Sequence, residues 1–302
     1  PTPAALSSLE IRPGETVCFS GGDIDNAFYR VEAPEFAKPF FTLPPIKAGM
    51  VGVTHINGKS IDPNSNITPS LTVLPMGWSW SLWFFQMIHE HQGRLSGQCD
   101  EDLVADRKAN LPLRPSDVRH AKYVDNYICV SHDPIAVDVA AMRLHSRLSD
   151  LGLLVHERVS GQTQMTFAGL DLDGEKGTVR VGVRRTWKLR LAIDFILSRG
   201  IVSGAAIEVI IGHFTWSALV RREALSAISA CYEFIRQHHD SNVPLWDSVV
   251  RELVWMRGLL PLLVADISLP WCTTVLASDA SPAGMGVVER VLPKDFGPCR
   301  ET

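Results

Sequence analysis

An α+β fold is what this 302-residue sequence predicts, and three observations carry that reading. Short apolar runs ending in acidic or glycine-bearing turns alternate with amphipathic helical stretches over residues 17–170. From 187 to 263 the apolar spacing is helical almost throughout, and from 273 to 288 it returns to the alternation of strands. The length suits about two domains, and a composition 46% apolar and 21% charged is enough to bury a sizeable core.

Val17-Cys18-Phe19 reads as a strand, Gly21-Gly22 as a turn, and Asp23-Ile24-Asp25-Asn26-Ala27-Phe28 as an acidic entry into a short helix. Residues 40–73 hold three strand-like pieces with Asn57-Gly58 as a hairpin turn, an extension of a sheet rather than a separate domain. Leu74-Pro75-Met76-Gly77 leads into a helix over 79–92, whose Trp80, Trp83, Phe84 and Phe85 are expected in the core. The polar stretch 97–119, with Pro112 and Pro115, reads as a surface connection. Residues 123–131 have a strand pattern broken by Asp125-Asn126, as in a tight hairpin with the acid at its turn. An amphipathic helix over 135–151, closed by Gly152, is followed by strands at 153–156 and 164–170. The succession strand, helix, hairpin, helix, strand is a split β-α-β plan. Helices then fill 187–237, one of them capped by Ser203, and continue over 245–263.

Charge and cysteine usage narrow the function. A net charge of −4 and a pI near 6.2 argue against a surface that grips nucleic acid everywhere, so any such contact falls to local patches. Arg184, Arg185, Lys188 and Arg190 form one, Arg221 and Arg222 another. The six cysteines, Cys18, Cys99, Cys129, Cys231, Cys272 and Cys299, contain no C-x-x-C pair, which gives no sign of a zinc knuckle or a disulfide framework. The richest apolar stretch, 253–271, is broken by Arg257, Pro261 and Asp266, so no membrane span is expected. An intracellular setting, cytoplasmic or nuclear, fits this best. A start at Pro1 without Met or leader is expected of a piece of a longer polyprotein.

Two acids stand where chemistry is expected. Asp23 ends one strand and Asp125 sits at a hairpin turn. Were those strands neighbours, the carboxylates would converge and could bridge two divalent ions about 3.5–4 Å apart, the arrangement used in nucleotidyl transfer. Magnesium takes few protein ligands, so two carboxylates suffice to seat such a pair.

Here the sequence resembles the reverse transcriptases, most of all those of tyrosine-recombinase (DIRS-type) retrotransposons. Asp23-Ile24-Asp25-Asn26-Ala27-Phe28 is similar to the first palm motif, which implies Asp23 as metal ligand, Ile24 and Asn26 beside the nucleotide, and Phe28 as a ring that clashes with a ribose 2′-hydroxyl. Leu74-Pro75-Met76-Gly77-Trp78-Ser79-Trp80-Ser81 resembles the second, which implies Met76 and Gly77 at the nucleotide. Tyr123-Val124-Asp125-Asn126 resembles the Y-x-D-D box, with Asp125 as the second metal ligand and Asn126 in place of the last acid. Leu151-Gly152-Leu153-Leu154-Val155-His156 resembles the next motif, which implies His156 as proton donor to leaving pyrophosphate, with Arg158 a poorer candidate because it keeps its proton. Phe167-Ala168-Gly169-Leu170 resembles the primer grip, carried by Phe167 and Gly169. Residues 278–286, with Asp279, resemble the first hairpin of RNase H.

The resemblance implies a right-hand polymerase palm with a remnant of fingers over 1–180, built on a ferredoxin-like split β-α-β unit. A helical thumb or connection over 181–268 and a truncated RNase H-like start over 269–302 would follow. It implies an RNA-directed DNA polymerase that adds dNTPs to a primer on an RNA or DNA template with two Mg²⁺ ions, or Mn²⁺ in their place. No RNase H activity is expected of a chain ending at Thr302. The competing reading is an inactive relic that acts as a nucleic-acid-binding or structural module, favoured by Asn126 and by the absence of sequence for the fingers. A viral RNA-dependent RNA polymerase would share the palm but lack Phe28 and the RNase H-like tail.

Other features carry less. His89-Glu90-His91 lacks the i, i+4 spacing of a zinc helix and reads as a solvated helix end. His238-His239-Asp240 reads as a helix terminus, and Ser81 and Ser278 have no base nearby in sequence.

Overall fold

The computed structural model describes residues 1–108, 112–270 and 272–293; Cys299 and the end of the RNase H-like segment lie outside the described residues. Strand β1 (Cys18–Ile24) is followed by helix α1 (Ser79–Leu95), the hairpin β2 (Arg119–Tyr123) and β3 (Asn126–Ser131), helix α2 (Pro134–Asp150) and strand β4 (Val155–Gln162). These strands form one antiparallel sheet in the order β2-β3-β1-β4, so the split β-α-β plan is realised. One face packs on α1 and α2 through Ile24, Phe85, Tyr127, Val137, Leu144, Leu148 and Val155. The other, with Phe19, Ile128 and Val130, joins the larger core beneath Met165 and Phe167.

Gly21 and Gly22 are not a turn. They lie in the middle of β1, and a Cβ at Gly21 would sit 2.2 Å from the Tyr127 carbonyl oxygen, one at Gly22 2.6 Å from Val155 Cγ1. Glycine is there because neighbouring strands close on β1 from both sides. Helix α2 starts as its sequence dictates, with Pro134 in its first turn and Asp133 accepting the Ile135 N–H at 2.8 Å. Residues 31–73 form a long arm rather than a sheet extension, because its two-residue ladders, 46–47 with 66–67 and 55–56 with 59–60, are not hydrogen-bonded to the main sheet. The Asn57-Gly58 turn is as expected, with both residues at positive φ (51° and 75°).

A second sheet follows: β5 (Gln164–Phe167), β6 (Leu170–Asp173) and β7 (Thr178–Val181). The stretch read as one strand over 164–170 is a hairpin, turned by Ala168 and Gly169 at φ 49° and 81°. Four helices come next, α3 (Val183–Arg199), α4 (Gly204–Ala218), α5 (Ser229–His238) and α6 (Asp247–Leu259). Ser203 caps α4 by accepting the Ala206 N–H, and Gly200 ends α3 at φ 66°. The α5 N-terminus takes its cap from α6: buried Glu252 accepts the Ala230 and Cys231 N–H groups at 2.7 and 2.8 Å. An anion there satisfies donors that the helix itself cannot. The chain then returns as β8 (Val264–Asp266), which pairs with β7. Finally β9 (Thr274–Ser281) and β10 (Gly284–Val291) make an exposed hairpin. Among the described residues no helix is long and apolar enough to cross a membrane.

The helical aromatics are a correction. Phe85 is fully buried, but Trp80 and Trp83 are about half exposed (54% and 51%), and with Trp78, Phe84 and Phe41 they form a surface ring cluster. Only one side of α1 meets the sheet, and the tryptophans occupy the other.

Candidate metal and nucleic-acid site

Asp23 occupies the last turn of the pleat in the central strand. Its Cα partners are Asn126 on β3 and His156 on β4. Residues directly opposed in antiparallel pairs project to the same face, so Asn126, Asp23 and His156 form a row across three strands. Phe19 and Gly21 share that face but lie under the β5–β6 hairpin, and Asp23, beyond it, is half-buried at the rim. The Asn126 amide nitrogen donates to the Asp23 carboxylate at 3.4 Å and to the Asp125 carboxylate at 3.0 Å. Those two acceptor oxygens are therefore no further apart than the sum of these distances, about 6.4 Å. The Ile24 N–H donates to the Asp125 carbonyl at 3.0 Å, which ties the two segments together. Burial pushes the Asp23 carboxyl above its ordinary value, and the charges of Asp125 and Glu157 push it further.

A ligating atom each from Asp23, His156 and Glu157 falls within 4.8 Å of the others. Carboxylate oxygens at an exposed rim are the donors that magnesium takes, with positions left for water and phosphate. The donor set fits such an ion.

The turn that carries Asp125 is held from α1. Val124 lies at φ 56°, a conformation that costs a β-branched residue heavily. Gln86 Oε1 accepts the Val124 N–H at 2.8 Å, and Gln86 Nε2 donates to the Lys122 carbonyl at 3.0 Å. His89 Nδ1 donates to the Val124 carbonyl at 2.7 Å. His89 is thus not a solvated helix end: it is fully buried, and burial lowers its pKa to about 4, which keeps it neutral. Sequence reading missed Gln86, His89 and Glu157; the one available sign was a polar pair one helical turn apart on the α1 face that bears Phe85.

The remaining expected positions are spread around this row. Phe28 follows Asp23 in a single 3-10 turn and leans edge-on against Phe85, ring centroids 5.8 Å apart. Asn26 is exposed at φ 50° and donates to the Asp25 carboxylate. Ile24 is a correction as a nucleotide contact: its side chain is buried in the core and its amide is taken by Asp125. Met76 is 66% exposed and Gly77 turns at φ 90°, before α1. Phe167 is buried, so its hairpin offers only the Ala168-Gly169 tip, packed by Gly169 against Trp216 and Arg185. That tip opens on a groove of about 850 Å³ lined by Arg184, Arg185, Lys188 and His213. Arg190 instead lies over the Trp187 ring, and Arg221 bonds the Val264 carbonyl. Asp279 is exposed opposite Gly286, and no cluster of three ligating side chains includes it among the described residues.

Solved structures are similar to this fold over 97% of the chain. One is the foamy viral protease-reverse transcriptase dRH in complex with double-stranded DNA, at TM-score 0.52 and 13% identity, and a second is the foamy viral protease-reverse transcriptase in complex with an RNA/DNA hybrid, at 0.53 and 14%. The chain has a reverse-transcriptase-like fold. It spans 47% and 36% of the length of those two chains. No protein-family model and no curated protein matches the sequence.

Proposed function

We propose that this chain is the palm and thumb of an RNA-directed DNA polymerase of the retroelement type, with the start of an RNase H-like unit, and that Asp23 and Asp125 hold its divalent ions. The observation that carries the reading is the meeting of those two acids, far apart in sequence, on one Asn126 amide at the open rim of a ferredoxin-like sheet. The similarity to a reverse-transcriptase fold supports it.

Asp23 and Asp125 would hold two Mg²⁺ ions, whose charge would activate a primer 3′-hydroxyl and neutralise a leaving pyrophosphate. Asp23, whose carboxyl is held above its ordinary value by burial and by the charge of Asp125, is a group whose ionised form cations would favour. Phe28, braced by Phe85, bars a 2′-hydroxyl by sterics and so selects dNTPs. His156, exposed and paired with Asp23, is placed to hand a proton to the departing phosphate oxygen. Arg184, Arg185 and Lys188 in the groove beside the Gly169 tip receive the template–primer backbone.

The test is primer extension on poly(A) with oligo(dT), dTTP and Mg²⁺. Extension that disappears in Asp125→Ala supports the polymerase. Asn126, which puts an amide where an acid would add charge, favours a second reading, a silent nucleic-acid-binding relic; duplex binding without extension selects it.

A further inference from the structure

Asn126 on one side of Asp23 is neutral, while the strand on the other side carries an acid with no assigned role. Opposite β1, strand β4 contains an irregularity: Gly21 pairs with Val159 but Asp23 pairs with His156, so three steps of β4 run beside two of β1. The extra residue is accommodated at Glu157, which takes φ 49°, a value outside the ordinary strand range. In a regular strand His156 and Glu157 would project to opposite faces. The bulge removes that alternation, and both side chains come to the Asp23 rim, with ligating atoms within 4.8 Å. Glu157 is exposed, and its carboxylate makes no hydrogen bond or ion pair among the described residues.

We propose that Glu157 supplies the third carboxylate of the divalent-cation site, from the β4 side, in place of the charge that Asn126 lacks on the β3 side. This rests on the metal-binding reading of Asp23 and Asp125 given above. Two divalent ions carry four positive charges, and two acids leave more of it uncompensated than three do. Glu157 offers the hard oxygen that magnesium prefers, whereas the neighbouring His156 offers an imidazole that it does not. A bulge is also the means by which a strand re-aims one side chain without altering the rest of its ladder.

The experiment measures Mn²⁺ binding to the full chain by electron paramagnetic resonance, with Mg²⁺ competition and no nucleic acid, so that it does not depend on turnover. Glu157→Gln should weaken Mn²⁺ and Mg²⁺ binding by about tenfold, the scale on which ligand charge tunes divalent affinity. Adding Asn126→Asp to that variant returns a carboxylate to the row from the opposite flank and should recover most of the loss. Circular dichroism confirms that each variant is folded. Asp23→Asn separates the two levels of inference. If Asp23→Asn abolishes binding while Glu157→Gln binds like the parent, the site stands and the Glu157 assignment is overturned. If His156→Gln takes the loss instead of Glu157→Gln, it is equally overturned. If Asp23→Asn itself leaves Mn²⁺ affinity unchanged, the metal reading fails, and this proposal with it.

Discussion

Gln86→Ala tests the clamp on the Asp125 turn. The substitution removes three hydrogen bonds, two that hold the turn, from the Val124 N–H at 2.8 Å and to the Lys122 carbonyl at 3.0 Å, and one to the Glu90 carboxylate at 2.7 Å within α1. At about 1 kcal/mol net for each, the folded chain loses about 3 kcal/mol. Against this stands the strain of Val124 at φ 56°, worth about 1–3 kcal/mol, which a freed turn can release by relaxing. The two terms partly cancel, so urea unfolding should register a change of no more than about 2 kcal/mol. Position behaves differently, since a misplacement of about 1 Å at a reacting centre costs on the order of 100-fold in rate. Single-turnover primer extension with Gln86→Ala should therefore fall by about two orders of magnitude while the melt barely moves. A variant that loses about 4 kcal/mol or more, or one that extends primers within about threefold of the parent, would refute the clamp.

Three further outcomes are expected. Lys122 is buried to 1% exposure beside neutral His120, and burial lowers its pKa to about 8 from an ordinary 10.5. Between those values the unfolded chain holds a proton that the folded chain has lost, so stability rises with pH across that window, by up to about 3 kcal/mol, and Lys122→Met should flatten the rise in urea titrations. The Asp23 carboxyl is held above its ordinary value, first by burial and then by Asp125, so its contribution to stability is full only at acid pH and fades as the group ionises. Asp23→Asn should accordingly raise the melting temperature in EDTA at pH 7; at a separation of no more than about 6.4 Å the Coulomb term is at least roughly 0.6 kcal/mol for a dielectric of 80 and 2.6 kcal/mol for one of 20. With Mg²⁺ present the order of the two melts should reverse. Arg185→Ala with Lys188→Ala in the basic groove should weaken duplex binding and reduce its salt dependence by about one unit of slope for each phosphate no longer neutralised, measured by fluorescence anisotropy.

Local chemistry was legible in the sequence wherever a residue determines its own surroundings. Ser203, Gly152 and Asn57-Gly58 mark ends and turns that the structure keeps, because each acts on neighbours a few positions away. The row of Asn126, Asp23 and His156 was legible only in part: Asp23 and Asp125 stand out as acids at strand ends, but their meeting depends on which strands adjoin. Gly21-Gly22 misled, since a glycine pair in a turn and one squeezed between strands look alike. Glu157 was hidden for a related reason, as a bulge is set by the register of two strands and leaves no mark in the composition of either. Trp80 and Trp83 were misplaced because helical spacing alone does not say which side of α1 meets the sheet.

The pairing of β7 with β8 bears on how the molecule can flex. Arg180 lies opposite Val264, so the points where the four-helix segment leaves and rejoins the second sheet are adjacent. Between those points the helices pack into the same core as the sheets, Leu189, Ile193 and Phe214 lying in one cluster with Phe167, Leu172 and Val179, so the segment is held by packing as well as by its ends. The groove bordered by Arg185 and Lys188 is thereby set by the same core that carries the sheet under the β1 rim. A cut through that core, rather than at either end of the segment, is what would loosen the groove from the rim.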